Sequence, residues 1–506
     1  MGRRNGVVVV GAGLAGLSAT LHLLGAGFDV TLLEREAGPG GRVSHQDGFD
    51  TGATVLTMPE LVDEAFAAVG VANPLRLRRL DPAYRAHFAD GSTIDVRTGA
   101  EAMEAEIRAF AGPREAAGYR NLRKWLTELY AVEKDHFIGA NFDSPLGLLR
   151  PELLRLAALG GFDRLDRRIG RFLTDARLRR LFSFQALYAG LDPRRALGAY
   201  GVIPYMDTIA GVYYPDGGMG RLPQALADAA EQAGAQLKFG TEAAWLERVS
   251  SRVMAVRTRA GERLACDAVV LATELATAYR LLGKRPRRPF PLRYSPSAVV
   301  LHGKAARAWP ALAHHTIFFG HAWEETFTEI IRKGSLMSDP SLLVTRPPGG
   351  SAVSVLAPAP NLHAGAIDWA RIGPAYTGEL LRTLAARGLT GFDREFAVTE
   401  LVTPQDWAAR GLAAGTPFSL AHTFGQTGPF RPRNVVRGIE NVALAGCGTI
   451  PGVGIPPVLI SGRLAAARIA GSATTPLCQP AATTVTTTRA AARPRYRGGG
   501  APSPRT

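Results

Sequence analysis

The feature that most constrains this chain is a glycine-rich turn between a strand and a helix near the N-terminus. The valines at 7–10 predict a buried β-strand, which leads directly into Gly11, Gly13 and Gly16 before the pattern becomes helical. In a dinucleotide-binding βαβ unit such glycines allow the tight turn, the close approach of a pyrophosphate and the packing of helix on strand. The helix N-terminus also offers free N–H groups to phosphates. The sequence therefore predicts a Rossmann-like dinucleotide site.

An acidic residue and a second glycine cluster follow this turn. The predicted strand at 29–33 ends at Glu34, which is well placed for a ribose hydroxyl. Residues 38–42 then supply three more glycines and Arg42. A nicotinamide-binding Rossmann domain does not need such a cluster here. The cluster resembles the extended fingerprint of FAD-dependent amine oxidases and carotenoid desaturases, in which the loop and its arginine lie along the pyrophosphate and the flavin.

Length and composition exclude several classes of protein. With 506 residues, the chain is too long for one typical core, so two intertwined domains are expected. No apolar segment approaches the roughly 20 residues of a membrane span. The N-terminal charge is followed by the fingerprint strand rather than by a cleavable apolar region, so a cytoplasmic location is expected. The scattered Cys266, Cys447 and Cys478 favour neither a disulfide framework nor a metal site.

The net charge of +15 is unevenly distributed. The segment 472–506 is rich in Thr, Ala, Pro, Arg and Gly and is expected to be a disordered basic tail. Residues 150–180 hold nine arginines against four acids, interspersed with leucine and phenylalanine. Amphipathic helices of this kind could rest on an anionic membrane surface. An ordinary solvated helical face is the open alternative, and no recognisable nucleic-acid-binding module accompanies the charge.

A second motif lies more than four hundred residues after the first. A predicted strand at 442–446 enters the loop 446–457, which is rich in glycine and proline, and a helix is predicted at 458–470. The N-terminus of that helix would stabilise a reduced, anionic flavin near its pyrimidine side. The glycines would permit close approach of the ring. A tight strand-to-helix connection without a ligand is the simpler alternative.

The predicted organisation is an α/β fold in which a Rossmann-like FAD-binding domain carries an inserted substrate domain of helices and a mixed sheet. Predicted helices include 100–110, 119–130 and 222–233, and predicted strands include 236–239, 243–249, 268–273, 297–301, 316–319 and 353–357. The expected parts are the FAD-binding domain at 5–60, a helical substrate and membrane-facing region at 61–210, FAD-binding domain again at 211–280, the mixed sheet at 281–430 and the last FAD-binding part at 431–471.

Five segments carry a specific resemblance to the FAD-dependent carotenoid desaturase family, in particular to bacterial phytoene desaturases. They are residues 49–59, 214–219, 312–319, 356–361 and 445–456. The likeness covers roughly residues 5–470. It implies FAD as cofactor, phytoene, a long apolar isoprenoid, as substrate, and desaturation toward neurosporene or lycopene. It also implies peripheral association with membranes, and quinone or oxygen are possible electron acceptors.

The resemblance also implies which residues hold the cofactor. Gly11, Gly13 and Gly16 would meet the pyrophosphate, Glu34 the ribose, and Ala243 the adenine through its backbone. The full set of expected cofactor-binding residues is Gly11, Ala12, Gly13, Leu14, Ala15, Gly16, Glu34, Arg35, Gly41, Arg42, Ala243, Gly446, Gly448, Gly452, Gly454 and Ile455. The chain departs from the family pattern in having Ile450 for histidine, Val453 for alanine and Pro457 for glycine or threonine.

The chemistry of the implied substrate requires few ionisable groups. Phytoene has no heteroatom to polarise, so a desaturase removes a hydride from an allylic carbon and a proton from its neighbour, and the adjacent alkenes delocalise the charge. No catalytic acid or base is assigned, and His314 and His315 are interpreted as structural. Alternatives are a hydroxycarotenoid desaturase, a carotenoid ketolase or isomerase, an amine oxidase, and a non-enzymatic prenyl-binding escort protein on the same fold.

Overall fold

Runs of strands and runs of helices follow one another along the chain in a computed structural model that describes residues 6–142, 150–286 and 291–471. The strands are β1 (Gly6–Val10), β2 (Asp29–Leu33), β3 (Val43–Gln46), β4 (Phe49–Gly52), β5 (Leu77–Arg79), β6 (Tyr84–His87), β7 (Thr93–Val96), β8 (Tyr213–Pro215), β9 (Gln236–Lys238), β10 (Ala243–Val249), β11 (Arg252–Thr258), β12 (Arg263–Ala265), β13 (Ala268–Leu271), β14 (Ser297–Ala305), β15 (His315–Phe318), β16 (Leu342–Thr345), β17 (Ala352–Ala359), β18 (Phe396–Val402) and β19 (Val442–Leu444). The α-helices are α1 (Leu14–Gly25), α2 (Glu60–Ala67), α3 (Ala100–Ala111), α4 (Pro113–Glu133), α5 (Pro151–Ala158), α6 (Leu165–Ile169), α7 (Ala176–Leu181), α8 (Val202–Tyr205), α9 (Arg221–Gln232), α10 (Leu275–Leu281), α11 (Trp323–Phe327), α12 (Trp369–Ala386), α13 (Phe392–Glu395), α14 (Pro404–Ala409) and α15 (Ile455–Ile469). The tail predicted to be disordered, 472–506, lies outside the described residues.

The first sheet is parallel and has the order β19-β13-β1-β2-β9. Val7 and Val9 of β1 enter a core that also contains residues of α1 and α15. Val8 and Val10 enter a second core, together with residues of α10, β10 and β11. Because both faces of the sheet are covered, β1 is a continuous apolar run rather than an alternating one. This sheet is the Rossmann-like element that the sequence predicts.

The last helix packs directly on the first. A Cβ added to Gly462 of α15 would lie 2.3 Å from the carbonyl oxygen of Ala15 in α1, so only a glycine permits this close approach. The hydroxyl of Ser18 donates a hydrogen bond to the carbonyl oxygen of Leu459 at 2.7 Å. The C-terminal segment therefore returns to the first sheet, as predicted from the sequence.

The second large sheet is mixed and has the order β18-β14-β17-β16-β15-β6-β7. Its strands pair antiparallel except β15 and β6, which are parallel. Residues of α12, including Trp369 and Leu380, share a core with β14, β16 and β17. Two of its strands, β6 and β7, fall within residues 61–210, which were expected to be helical. Their alternation of buried and less buried residues spans only four positions each, which is too short to stand out beside the helical segments that follow.

Most predicted elements are present with shifted ends, and one shift matters for the site. The helix expected at 458–470 begins at Ile455, immediately after Gly454. Pro456 and Pro457 occupy its first turn, where a backbone N–H has no intrahelical partner and is not missed. The unusual Pro457 is therefore compatible with the helix, and the helix N-terminus lies three residues closer to the glycine loop than the sequence predicted.

Candidate cofactor site

The loops after three neighbouring parallel strands meet at one edge of the first sheet. The strands β19, β13 and β1 are adjacent, and Gly11 follows β1 directly. Its φ is +104°, and an added Cβ would lie 2.8 Å from the carbonyl oxygen of Ala272, just after β13. The carboxyl ends of the strands in an open α/β sheet are the usual position for a ligand.

Gly13 and Gly16 differ sharply in what surrounds them. A Cβ at Gly16 would lie 1.9 Å from the carbonyl oxygen of Gly11, so this glycine is required by the fold itself. A Cβ at Gly13 would come no closer to the protein than 3.9 Å, at the Cα of Gly41. Gly13 therefore leaves an open approach to the backbone, and its expected contact with a pyrophosphate stays a prediction.

The second glycine cluster lies directly on the first. The N–H of Gly40 donates to the carbonyl oxygen of Ala12 at 2.9 Å. Gly41 has φ +62°, and an added Cβ would lie 3.1 Å from the Cα of Gly13. The two clusters thus lie in direct backbone contact at Gly13, Gly40 and Gly41.

Glu34 is tied to the glycine loop by its carboxylate. One oxygen accepts the N–H of Ala12 at 2.7 Å, and the other accepts the N–H of Glu36 at 3.0 Å. The carbonyl oxygen of Glu34 accepts the N–H of Thr241 at 2.7 Å, which brings the segment leading to Ala243 alongside. Glu34 and the chain just before Ala243 are therefore adjacent, as a shared ribose and adenine site requires.

Arg35 is directed away from the loop. Its Nε pairs with Glu36 at 2.9 Å, and its Nη2 donates to the carbonyl oxygen of Arg410 at 2.8 Å. About half of its side chain is exposed, at 51%. The structure therefore does not bring the Arg35 side chain to the other predicted cofactor residues.

Arg42 connects the glycine clusters to two other segments. Its guanidinium forms an ion pair with Glu274, which follows β13, and donates to the carbonyl oxygen of Pro417 at 2.8 Å. Burial alone would lower the pKa of Arg42, but Cys447 and Glu274 outweigh that effect and raise it. Glu274 was missed in the sequence, although an acid directly after a buried parallel strand is a recognisable signal. An expected role of Arg42 beside FAD stays a prediction.

The C-terminal loop begins with Gly446 and Gly448, of which only Gly448 is crowded. The N–H of Gly446 donates to the hydroxyl of Ser461 in α15 at 3.0 Å, and its φ is +113°. A Cβ at Gly448 would lie 2.6 Å from the Cβ of Leu275. Gly446 therefore permits the left-handed backbone at the start of the loop, and Gly448 allows the loop to lie close against Leu275 of α10.

The second half of the loop packs on His422. A Cβ at Gly452 would lie 2.2 Å from a ring carbon of His422, and the N–H of Val453 donates to its Nε2 at 3.5 Å. Burial and the nearby Arg431 charge hold the pKa of His422 well below its usual range, so the ring is neutral. Gly454, with φ +116°, then leads into Ile455 and α15. Nothing in the sequence pattern singled out His422.

This arrangement fits FAD on chemical grounds. The helices α1 and α15 both begin at the loops just described, and neither has an acidic residue in its first turn. Their free N–H groups favour negative charge, which a pyrophosphate and a reduced flavin both carry. The bare glycine surface leaves room for a ligand against the backbone. In the part of the chain that the structure describes, no His, Cys, Asp or Glu group could hold a metal ion.

A buried polar cluster lies apart from the glycine loops. The hydroxyl of Tyr84 donates to a carboxylate oxygen of Asp207 at 3.1 Å, and burial raises the pKa of Asp207 to about 7. His315 lies beside Tyr84, and His314 stacks edge-on against Tyr214. Burial lowers the pKa of both histidines, that of His314 to about 4, so both rings are neutral near pH 7. The interpretation of the histidine pair as structural stays a prediction.

Comparison with known proteins places most of the chain among flavoproteins. A family model described as flavin containing amine oxidoreductase matches residues 14–470. The phytoene dehydrogenase of Streptomyces griseus is 61% identical over 482 residues, 92% of this chain and 95% of that protein. The zeta-carotene-forming phytoene desaturase of Myxococcus xanthus is 34% identical, over 92% of this chain and 94% of that protein.

Solved structures share the fold at low sequence identity. An oxidoreductase from Methanosarcina mazei superposes with a TM-score of 0.60 at 14% identity, covering 90% of this chain and 98% of that one. A redesigned putrescine oxidase superposes with a TM-score of 0.59 at 14% identity, covering 92% of this chain and 99% of that one. At such identities the likeness concerns the fold alone, and it agrees with the sheet and helix arrangement described above.

Proposed function

Since the chain belongs to the flavin-containing amine oxidoreductase family and, within it, to the phytoene desaturases, we propose that it desaturates phytoene to neurosporene or lycopene. It is an FAD-dependent oxidoreductase. The observation that carries the substrate proposal is the 61% identity to the phytoene dehydrogenase of Streptomyces griseus, which extends over nearly the full length of both proteins.

The proposed mechanism assigns positioning rather than acid–base chemistry to the protein. Bound FAD would supply a two-electron acceptor that takes a hydride from an allylic carbon of the substrate, while the neighbouring carbon loses a proton. The glycine surfaces at Gly13 and Gly41 would let the cofactor approach the backbone. The helix that begins at Ile455 would stabilise negative charge on the reduced ring. Burial lowers the pKa of His314 and of His315, which makes both rings weak bases, and neither is assigned as a base.

Expression in a phytoene-accumulating host, followed by pigment chromatography, tests this proposal. We expect phytoene to be consumed and neurosporene or lycopene to appear. The control is Gly13→Val, which is expected to lose FAD and therefore to leave phytoene unchanged. A strain that keeps all its phytoene while the purified protein carries FAD would contradict the function. Zeta-carotene as the end product would contradict only the product assignment, and oxygenated or isomerised carotenoids would favour the alternative flavoenzymes.

We also propose that α5 and the loop after it rest on an anionic membrane. Most apolar residues of 150–180 face the core, including Leu156, Leu165 and Ile169. The exposed face of the segment is therefore less apolar than its sequence suggests. Two apolar residues remain on the surface, Leu154 at 75% and Phe162 at 47% exposure. The neighbouring arginines at 155, 164, 167 and 171 are exposed as well. In the described residues no helix is long and apolar enough to cross a bilayer.

A quinone held in the membrane, or oxygen, is proposed as the electron acceptor.

Liposome co-sedimentation tests the membrane proposal. We expect binding to anionic vesicles that weakens as salt rises, because surface charges are screened. Replacing Arg155 and Arg167 with glutamine should weaken binding about tenfold or more, at about 1 kcal/mol for each arginine. Replacing Leu154 and Phe162 with serine should weaken it at every salt concentration. The exposed Trp245, on the small β10–β12 sheet, provides a matched control for substitution to serine. Binding that ignored both salt and anionic lipid would contradict the proposal.

A further inference from the structure

We propose that Arg431 is a positioning residue that aims two backbone N–H groups of the C-terminal loop at FAD. Arg431 lies in the segment leading to β19 and is only 1% exposed. Its Nε donates to the carbonyl oxygen of Thr449 at 2.9 Å, and its Nη2 donates to that of Cys447 at 2.5 Å. Nη1 also donates to the carbonyl oxygen of Gln426 at 3.2 Å. One buried guanidinium therefore fixes two alternate peptide groups of the loop.

Peptide geometry determines where the matching N–H groups point. In a planar trans peptide the N–H lies opposite the C=O, and the peptides that follow Cys447 and Thr449 are both trans. Because their oxygens face Arg431, the N–H groups of Gly448 and Ile450 point away from it. The two donors are thus presented together on the other side of the loop.

These two donors lack an acceptor in the part of the chain that the structure describes. The N–H groups of Gly448 and Ile450 make no hydrogen bond to a described residue, although both residues are buried. Buried backbone N–H groups without a partner are rare, because each costs free energy comparable to a lost hydrogen bond. A ligand oxygen would satisfy them. Cys447 of this loop interacts with Arg42, which directly follows the second glycine cluster, so FAD is the ligand that this position fits.

The charge of Arg431 adds to the effect of its geometry. A cation beneath the loop makes the opposite side of the two peptide groups more favourable for a negatively charged oxygen. Two parts of FAD carry such oxygens, the pyrophosphate and the pyrimidine edge of the reduced flavin. Both would be recognised by the same pair of N–H groups.

Binding of FAD to the apoprotein tests this proposal directly. We expect Arg431→Gln to weaken FAD binding by roughly 10- to 100-fold, the loss associated with a charged hydrogen bond. The FAD affinity of Arg431→Lys should lie between those of Arg431→Gln and the wild type. Lysine keeps the positive charge, but it cannot donate hydrogen bonds to both carbonyl groups in the fixed geometry of a guanidinium. Parallel titrations with ADP and with FMN separate the two sources: a loss confined to ADP indicates the pyrophosphate, and a loss confined to FMN indicates the flavin.

Arg463→Gln is the matched control. Arg463 is also buried, at 3% exposure, but it lies in the middle of α15 rather than beside the loop. Its Nε pairs with the carboxylate of Glu64 in α2 at 3.4 Å. We expect this variant to lose stability while keeping its affinity for FAD. A second measurement, amide hydrogen exchange, should show that FAD slows exchange in a peptide spanning 447–450 in the wild type, and does so much less in Arg431→Lys.

Either of two results would overturn the role of Arg431. The first is an FAD affinity of Arg431→Gln within twofold of the wild type, or a loss no greater than that of Arg463→Gln. The second, which holds even if Arg431→Gln fails to fold, is an absence of FAD-dependent protection at 447–450 in the wild-type protein. Both measurements concern FAD alone, so they are independent of whether phytoene is the substrate.

Discussion

Gly13→Val is expected to abolish FAD binding in a protein that still folds, whereas Gly16→Ala is expected to damage the fold itself. Gly13 has φ −71° and ψ 171°, which any residue adopts, and its Cβ direction is open to 3.9 Å. A valine there should change the free energy of unfolding by less than about 1 kcal/mol while weakening FAD binding about 100-fold or more. At Gly16 the added methyl group would meet the Gly11 carbonyl at 1.9 Å, and forced backbone movement should cost about 3 kcal/mol.

Flavin absorbance of the purified variants and urea unfolding of the apoproteins measure these two effects separately. Comparison of apoproteins is necessary because bound FAD stabilises the folded state by itself. Gly13→Val that purifies with a full complement of FAD would contradict the placement of the cofactor over this residue. Gly16→Ala with an unchanged unfolding midpoint would contradict the tight contact with Gly11.

The second large effect concerns pH. Asp207 is buried, with Tyr84 donating to it and Tyr188 nearby, and burial raises its pKa to about 7 from an unfolded value of about 3.9. The folded state therefore holds this proton more tightly, and its stabilising contribution, complete below pH 4, is lost as pH rises toward and through 7. A difference of about three pKa units corresponds to about 4 kcal/mol. The side chain of Asp207→Asn stays uncharged at every pH. We therefore expect the free energy of unfolding of this variant, relative to that of the wild type, to rise by about 4 kcal/mol between pH 4 and pH 8.

Urea unfolding of both proteins across this pH range gives the measurement. The quantity to follow is the difference between variant and wild type, because other groups titrate equally in both. Asp216→Asn is a suitable control, since Asp216 is exposed and its carboxylate is solvated. If the difference in unfolding free energy between Asp207→Asn and the wild type stayed constant from pH 4 to pH 8, Asp207 would be charged in the folded protein over this whole range, which would contradict the prediction.

The glycine loop could be predicted from the sequence because its geometry is local. Gly11, Gly13 and Gly16 lie within six residues, and the strand before them and the helix after them fix what each must do. The second cluster at Gly41 and the distant loop at Gly446 were also visible, since both are runs of glycine at the end of a predicted element. The Rossmann-like sheet followed from the same signals.

The residues that hold these loops in place could not be predicted in the same way. Glu274 contacts Arg42 and Ser419, which are far away in the sequence, and its position after a buried strand was a signal that could have been used. Arg431 contacts carbonyl groups less than twenty residues away, but a single arginine carries no pattern. Arg35 is among the residues expected to bind the cofactor; its side chain reaches the carbonyl oxygen of Arg410, and its role stays a prediction. Asp207 becomes unusual only through its burial, which depends on the packing of the complete domain.

The strand order of the first sheet has a consequence for how the protein is made. The adjacent strands β1, β13 and β19 begin at residues 6, 268 and 442, so β19 can join the sheet only long after β1 and β13 have been synthesised. Until then β13 has an open edge of unpaired backbone groups, which invites association with other chains. A nascent chain that stops short of β19 therefore has no complete cofactor pocket and is a natural target for chaperones and proteases.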